Sequence, residues 1–111
     1  RVVATSRIGY VEARAAFARA KREACLHAQE HRQAVEDLDR DWDSYFILEV
    51  TESLVRRAGA LAEDHALRAY DALHLASALT LRDRVQRAVT FLCFDEQLEA
   101  AARGEGMTTG E

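Results

Sequence analysis

The chain has 111 residues, which is enough for one domain with a modest core. Its hydrophobic content of 49% and charged content of 31% are typical of globular proteins, and its lack of proline and scarcity of glycine argue against disordered or collagen-like classes. The net charge of −4 excludes a broad basic surface for nucleic acid, although carboxylates that hold a divalent cation are themselves acidic.

The two cysteines, Cys25 and Cys93, lie far apart and do not suggest a disulfide framework. We therefore expect reduced thiols and a cytoplasmic protein. No apolar run approaches the roughly 20 residues of a membrane span, so no membrane association is expected. The chain opens directly on Arg1, without an initiator methionine, and we expect it to be a fragment of a longer protein.

The first half of the chain alternates apolar and helical segments. In order, the patterns predict a strand at 2–4, helices at 8–25 and 27–42, and a strand at 45–50. Thr5 and Ser6 are suited to cap the first helix. Trp42, at the end of the charged second helix, is expected to anchor a core or an interface.

The second half continues the alternation. In order, we expect helices at 53–64 and 67–81, a polar turn at 82–87, a strand at 88–94 and a helix at 96–103. Thr51 and Asp95 are suited to cap helices, and Gly104 to end one. The segment 67–81 is apolar on almost every face and too long for a typical strand, so we expect a central buried helix.

Strands that alternate with helices predict an α/β fold with a parallel sheet covered on both faces. We expect residues 1–111 to form a single domain of this class. Ligands of such sheets bind outside the carboxyl ends of the strands, which makes acidic residues after strands the candidates for chemistry.

Asp71 is the most informative of these candidates because it lies in the apolar segment 67–81. A carboxylate there is costly to bury unless it is paired, hydrogen-bonded or bound to a metal. Arg68, three residues earlier, offers an ion pair, and the first turn of a helix favours an acid through the helix dipole. Both structural explanations remain open beside the functional one.

Asp95 and Glu12 are two further candidates. Asp95 follows an apolar strand and opens a helix, so it is either an N-cap or a site residue. Glu12 lies in the first predicted helix, just after the first strand, and such a residue is most often on the surface. If the three carboxylates converge at one edge of the sheet, their oxygens suit Mg²⁺ or Mn²⁺, and a bound ion would support phosphodiester hydrolysis.

Three segments carry a resemblance to a known family. Residues 68–76 are Arg-Ala-Tyr-Asp-Ala-Leu-His-Leu-Ala, residues 91–98 are Phe-Leu-Cys-Phe-Asp-Glu-Gln-Leu, and residues 6–16 run from Ser6 through Glu12 to Ala16. In this order and spacing they resemble the motifs of the PIN domain, the fold of VapC-type toxin ribonucleases. The resemblance covers essentially the whole chain.

The resemblance implies a three-layer fold with a parallel sheet flanked by helices, and Glu12, Asp71 and Asp95 as ligands of Mg²⁺ or Mn²⁺. Arg14 and Arg68 are candidates for holding phosphate or orienting the carboxylates. Members of the family normally begin with a strand that ends in an aspartate. Since nothing of this kind precedes Arg1, we expect the first strand, first helix and leading carboxylate to be missing, and this stretch to be inactive alone.

A second departure concerns Cys93, which occupies a position where the family often has a hydroxyl residue. A thiol is only a weak hydrogen-bond partner. The resemblance also implies an RNA substrate, a cognate antitoxin protein that blocks the site, and a homodimer. The segments 8–25 and 27–42 are candidate contact surfaces for these proteins.

Two other functions stay open. One is a PIN-like scaffold or RNA-binding module that has lost catalysis, and the other is an ordinary α/β interaction protein whose acids are caps and ion pairs. Histidine chemistry is not favoured. The pair His27 and His31 lacks the pattern of a zinc protease, and His74 is expected to be a hydrogen-bonded core histidine.

Overall fold

The computed structural model describes residues 3–86, 89–93 and 95–110. These residues form short strands and longer helices, and the chain divides into two compact units, Arg1–Ile47 and Leu48–Glu111. The strands are Ala4–Ser6 (β1), Phe46–Leu48 (β2), Thr90–Phe91 (β3) and Thr108–Thr109 (β4), and the helices are Gly9–Arg22 (α1), Ala28–Trp42 (α2), Glu52–His65 (α3), Ala69–Val85 (α4) and Glu96–Gly104 (α5).

In the first unit, α1 and α2 form a helical hairpin. The two helices are joined by contacts among Tyr10, Asp39 and Trp42, which together are called the clasp. The hydroxyl of Tyr10 donates a hydrogen bond of 2.6 Å to Asp39 Oδ1, which joins the two helices. The Trp42 ring packs edge-on against Tyr10, with ring centroids 5.4 Å apart, and against Tyr45 at 6.0 Å. Trp42 thus anchors this hairpin, in line with the sequence prediction.

The helix starts of the first unit differ from expectation. Ser6 Oγ accepts a hydrogen bond of 3.0 Å from the backbone N–H of Ile8, but the N-cap position itself belongs to Ile8 and has no side-chain cap. At the start of α2, Glu30 Oε1 accepts from the backbone N–H of His27 at 2.8 Å. His27 therefore has a structural role as the N-cap residue of α2.

The second unit has its core between α3, α4 and α5. Leu75 and Ala76 on α4 are completely buried. The remaining buried apolar side chains of this core are Leu54, Ala58, Leu61, Ala72, Leu79, Phe91, Leu98, Ala101, Ala102 and Met107. The apolar segment predicted to be a central buried helix is α4, so that prediction is confirmed.

A parallel pair of strands completes the second unit. Thr90 pairs with Thr108 and Phe91 with Thr109, and α5 connects the two strands. The pair confirms an α/β protein that is mostly helical with a small parallel sheet. Strand β4 was not predicted, because two threonines are too short a segment to show a period.

The helix ends show where sequence reasoning was wrong. The polar turn expected at 82–87 is instead the last part of α4 as far as Val85, because basic residues such as Arg82 and Arg84 are favourable in the last turn of a helix. Gly104 does end α5, but the left-handed residue that reverses the chain is Gly106, at φ +84°.

The predicted strands are longer than the observed ones. The expected strand at 45–50 is only Phe46–Leu48, and that at 88–94 is Thr90–Phe91 within the described part of the chain. Residues 2, 88 and 94 of the expected strands lie outside the described residues, as does Arg87 of the expected turn. In the parts of the chain described here, the helices are all too short or too polar to cross a membrane.

Because Leu75 of α4 is completely buried, we expect the protein to lose stability when this side chain is shortened. Replacing the completely buried Leu75 by alanine should lower the free energy of unfolding by about 2–5 kcal/mol, since it removes apolar contacts and leaves a cavity. The matched control is Val55→Ala on α3, where the side chain is 47% exposed and the expected change is below about 0.5 kcal/mol. Urea denaturation of both variants measures the difference, and similar losses would contradict this core.

Candidate functional site

Asp71 lies in the first turn of the buried helix α4. Its side chain is 22% exposed, and its Oδ2 lies 3.8 Å from Nε of Arg68, whose side chain is 87% exposed. The ion pair and the favourable helix-dipole position expected from the sequence are therefore both present. Because a long pair with one solvated partner stabilises little, it explains only part of why a half-buried carboxylate lies here.

Asp95 begins helix α5. Its backbone is extended, with φ −111° and ψ 122°, and its Oδ1 accepts a hydrogen bond of 2.9 Å from the backbone N–H of Leu98. The prediction of an N-cap is confirmed. Capping uses one lone pair of one carboxylate oxygen, so the group keeps chemical capacity to bind a cation as well.

Charges from both acidic motifs act on the Cys93 thiol. Burial raises the pKa of the Cys93 thiol, and the nearby charges of Glu99, Asp95 and Asp71 raise it further, while a hydrogen bond with the backbone of Asp95 opposes the rise. Electrostatic effects of this kind reach over roughly 10 Å at physiological ionic strength. Asp71 from α4 and Asp95 from the start of α5 therefore share one acidic neighbourhood around this thiol.

Glu99 is a member of this neighbourhood that sequence reasoning missed. It lies one turn after Asp95, so the two acids fall on the same face of α5. Its Oε1 lies 3.4 Å from Nη1 of Arg103, and its side chain is about one-third exposed. The four-residue spacing between Asp95 and Glu99 is the signal in the sequence that would have indicated this residue.

His74, which was expected to be a core histidine, lies on α4 one turn after Asp71. Its ring stacks on Tyr70, with centroids 6.0 Å apart and planes 10° apart, and packs at 4.8 Å against Phe91 of β3. Burial lowers the pKa of His74, and this outweighs the opposing effects of a hydrogen bond to the Leu92 backbone and the charge of Asp71. The ring is therefore neutral near pH 7. Its buried Nδ1 has no hydrogen-bond partner among the described residues.

The remaining predicted residues lie in the first unit. Glu12 is in the first turn of α1, is half-buried, and its backbone N–H donates to the carbonyl of Ile8 at 3.1 Å. Arg14 donates a hydrogen bond of 2.8 Å from Nη1 to the hydroxyl of Tyr10, and its guanidinium lies 5.6 Å from the centre of that ring. Arg14 therefore supports the clasp between α1 and α2.

The donor chemistry of the second unit fits a hard divalent cation. Within residues 3–86, 89–93 and 95–110, no three or more His, Cys, Asp and Glu side chains lie close enough together to hold a metal. Mg²⁺, however, is commonly bound through one or two carboxylates, with water and substrate phosphates as its other ligands. Asp71 and Asp95 supply two carboxylates, the kind of ligand that such an ion prefers.

Two substitutions of Asp95, the N-cap residue of α5, distinguish the effect of its capping hydrogen bond on stability from the effect of its charge. Asp95→Ala should lower the free energy of unfolding by about 1 kcal/mol, because the N–H of Leu98 loses its acceptor. Asp95→Asn keeps an oxygen at the cap and should change it by only a few tenths of a kcal/mol. Urea denaturation in metal-free buffer measures both, and equal losses would contradict the capping role.

The neutral state of His74 predicts a pH dependence. Because the pKa of His74 is lowered in the folded protein, its contribution to stability is present above about pH 6.5 and is lost as the pH falls below that value. The stability of the wild type relative to His74→Phe should therefore decrease on acidification. Denaturation curves between about pH 7.5 and 5 test this, and a constant difference would contradict it.

Comparison with known proteins supplies the family. The PIN domain model matches residues 1–104. Two curated relatives from Mycobacterium tuberculosis, Ribonuclease VapC45 of strain CDC 1551 / Oshkosh and Ribonuclease VapC49 of strain ATCC 25618 / H37Rv, are each 37% identical over 106 residues, which covers 92% of this chain and 69% of the relative. The motifs around Glu12, Asp71 and Asp95 all lie within the matched residues, and the chain belongs to the PIN domain family.

Proposed function

We propose that this protein is a metal-dependent endoribonuclease of the toxin–antitoxin type, which hydrolyses phosphodiester bonds of RNA. The observation that carries the proposal is the shared neighbourhood of Asp71 and Asp95, two acids that are 24 positions apart in the chain and both act on the Cys93 thiol. The similarity to two VapC ribonucleases supports the choice of RNA as substrate.

In this proposal Asp71 and Asp95 bind Mg²⁺ or Mn²⁺ through their carboxylate oxygens. Asp71 is held in the first turn of a helix whose middle is buried in the core, and Asp95 by its own capping hydrogen bond, so both carboxylates are oriented before any ion arrives. Such preorganisation favours a small cation with strict geometry. Glu12 is proposed as a further ligand on the basis of its motif and its place in the first turn of α1.

A bound divalent ion would supply Lewis acidity to the phosphate and charge stabilisation for the leaving oxygen. The residues around it have complementary tasks. Arg68 pairs with Asp71 from a solvated position, where its guanidinium orients that carboxylate or meets a phosphate oxygen. Cys93 is not proposed as a nucleophile, because the raised pKa of its thiol leaves little thiolate near neutral pH.

The partners proposed are a second copy of the chain and an antitoxin, in a cytoplasmic setting. The structural support is the hairpin of the first unit. All residues of α1 and α2 are described, none of them is buried, and Val11 on α1 is 64% exposed. Helices that bury none of their residues keep their faces available for contact with another protein.

The alternative is a PIN-like module that binds RNA or protein without cleaving it. Its support is that the described residues contain no group of three metal-binding side chains. Binding of RNA by the wild type with no cleavage in Mg²⁺ or Mn²⁺ would favour this alternative.

The decisive prediction concerns Asp71. In the protein at its full natural length, Asp71→Asn should reduce RNA cleavage with Mg²⁺ or Mn²⁺ by more than the roughly 10–100-fold that is typical for loss of a residue that only orients a ligand. The substitution removes a charge but keeps the size of the side chain, so folding should be retained.

The matched control is Asp64→Asn, the same chemical change at an exposed acid near the end of α3. This variant should cleave RNA like the wild type. Chelation with EDTA should abolish cleavage, and added Mn²⁺ should restore it in the control but not in the Asp71 variant. Equal cleavage by wild type and Asp71→Asn would remove Asp71 from the mechanism and reject the proposal.

A further inference from the structure

The side-chain amide of Gln97 joins the start of α5 to the end of α3. Gln97 lies two positions after Asp95, in the first turn of α5. Its Nε2 donates hydrogen bonds to the carbonyl of Ala66 at 2.9 Å and to that of His65 at 3.3 Å. Ala66 lies in the turn that leads into α4, five positions before Asp71. One exposed side chain therefore connects the segment that leads to Asp71 with the helix that Asp95 begins.

The two carbonyls that Gln97 binds are groups that α3 itself leaves without donors. The last four carbonyls of an α-helix have no partner within the helix, and α3 ends at Ala66 in the left-handed conformation, with φ 54°. A primary amide carries two N–H donors on one nitrogen, so Gln97 binds both carbonyls at once. Two hydrogen bonds from one planar group restrict the orientation of the turn relative to α5 more than a single bond would.

The core holds the same two helix starts from the inside. Ala72, next to Asp71, and Leu98, next to Gln97, are both buried in the hydrophobic core of the second unit. Apolar burial is non-directional, whereas a hydrogen bond requires a defined angle. The core therefore keeps α4 and α5 close, and the amide of Gln97 adds a directional restraint at the surface.

We propose that Gln97 is a positioning residue that fixes the turn before α4 against the first turn of α5 and so sets the arrangement of the carboxylates of Asp71 and Asp95. The inference rests on the proposed metal-dependent function, because that function gives the arrangement its purpose. Gln97 does not touch the ion or the substrate in this account. It acts through the backbone that carries the ligands.

Capping of α3 is the simpler role from which positioning must be distinguished, and a second contact provides the comparison. Nε2 of His65 lies 2.8 Å from Oε2 of Glu105, the C-cap residue of α5. This contact also joins α3 to α5, but at the end of α5 that is remote from Asp95. Its loss should weaken the packing of α5 without changing how Asp95 lies relative to Asp71.

The test uses Gln97→Met in the protein at its full natural length, which removes both donors but keeps the length of the side chain. The first control is Gln29→Met, the same change at an exposed glutamine in the same position of the first turn of α2. The second control is Glu105→Met, which removes the partner of the His65 ring. Thermal melting establishes that each variant folds, and Gln97→Asn, one methylene too short to reach, replaces Gln97→Met if that one does not.

The first measurement is calorimetric titration with Mn²⁺ alone. We expect the Kd of Gln97→Met to rise by roughly 10-fold, the lower end of the range for loss of a residue that orients metal ligands. Gln29→Met and Glu105→Met should bind Mn²⁺ like the wild type, even where Glu105→Met lowers the melting temperature. RNA cleavage by Gln97→Met should recover at saturating Mn²⁺, with an unchanged KM for RNA.

The second measurement, hydrogen–deuterium exchange in metal-free buffer, does not depend on the proposed function. The amides of Ala66 and Leu67 donate to the carbonyl of Ala62, and in Gln97→Met they should exchange several-fold faster. The amide of the buried Leu61 should be unchanged. Equal acceleration at Leu61 would indicate a general loss of stability and would overturn the local restraint.

The outcomes separate this inference from the proposed function. If wild type and Asp71→Asn bind Mn²⁺ equally, the metal site fails, and exchange at Ala66 and Leu67 alone decides whether Gln97 holds the turn. If Asp71→Asn loses binding but Gln97→Met binds Mn²⁺ like the wild type, the metal site stands and Gln97 only caps α3. Weaker binding by Glu105→Met to the same extent as by Gln97→Met would also overturn the positioning role.

Discussion

The packing of α4 is the constraint on which the second unit depends. This helix is buried against α3 and against the elements that follow it, with Leu75 and Ala76 completely buried. Its first turn carries Asp71, so the position of that carboxylate is set by the core rather than by a surface loop. A rigid support of this kind is what a metal ligand needs, because its oxygen must be held to within a fraction of an ångström.

The end of β3 is also held in place by the core of the second unit. Phe91 is buried in the same core as α4, and two residues beyond it Cys93 lies among the charges of Glu99, Asp95 and Asp71. These charges disfavour the thiolate form of Cys93. In the proposed function, a divalent cation bound by Asp71 and Asp95 would offset this negative charge.

The sequence predicted the class, the family, the buried central helix and the caps at Thr51 and Asp95, since each rests on local pattern or motif. It did not predict β4, whose two residues are strand only because β3 lies beside them. It also missed Glu99. The spacing from Asp95 puts Glu99 on the same face of α5, but its relation to Asp71 depends on how α4 and α5 pack, which no spacing in one segment encodes.

The claim that Asp71 and Asp95 bind one ion is tested most directly by Mn²⁺ in an ¹⁵N-labelled sample, since the paramagnetic ion broadens amide signals near its binding site. At substoichiometric Mn²⁺ the amides of Asp71, Ala72, Asp95 and Glu96 should broaden together, before those of the exposed acids Glu63 and Asp64. Broadening of the two motifs at clearly different Mn²⁺ concentrations, or no earlier than at Glu63 and Asp64, would contradict a shared site.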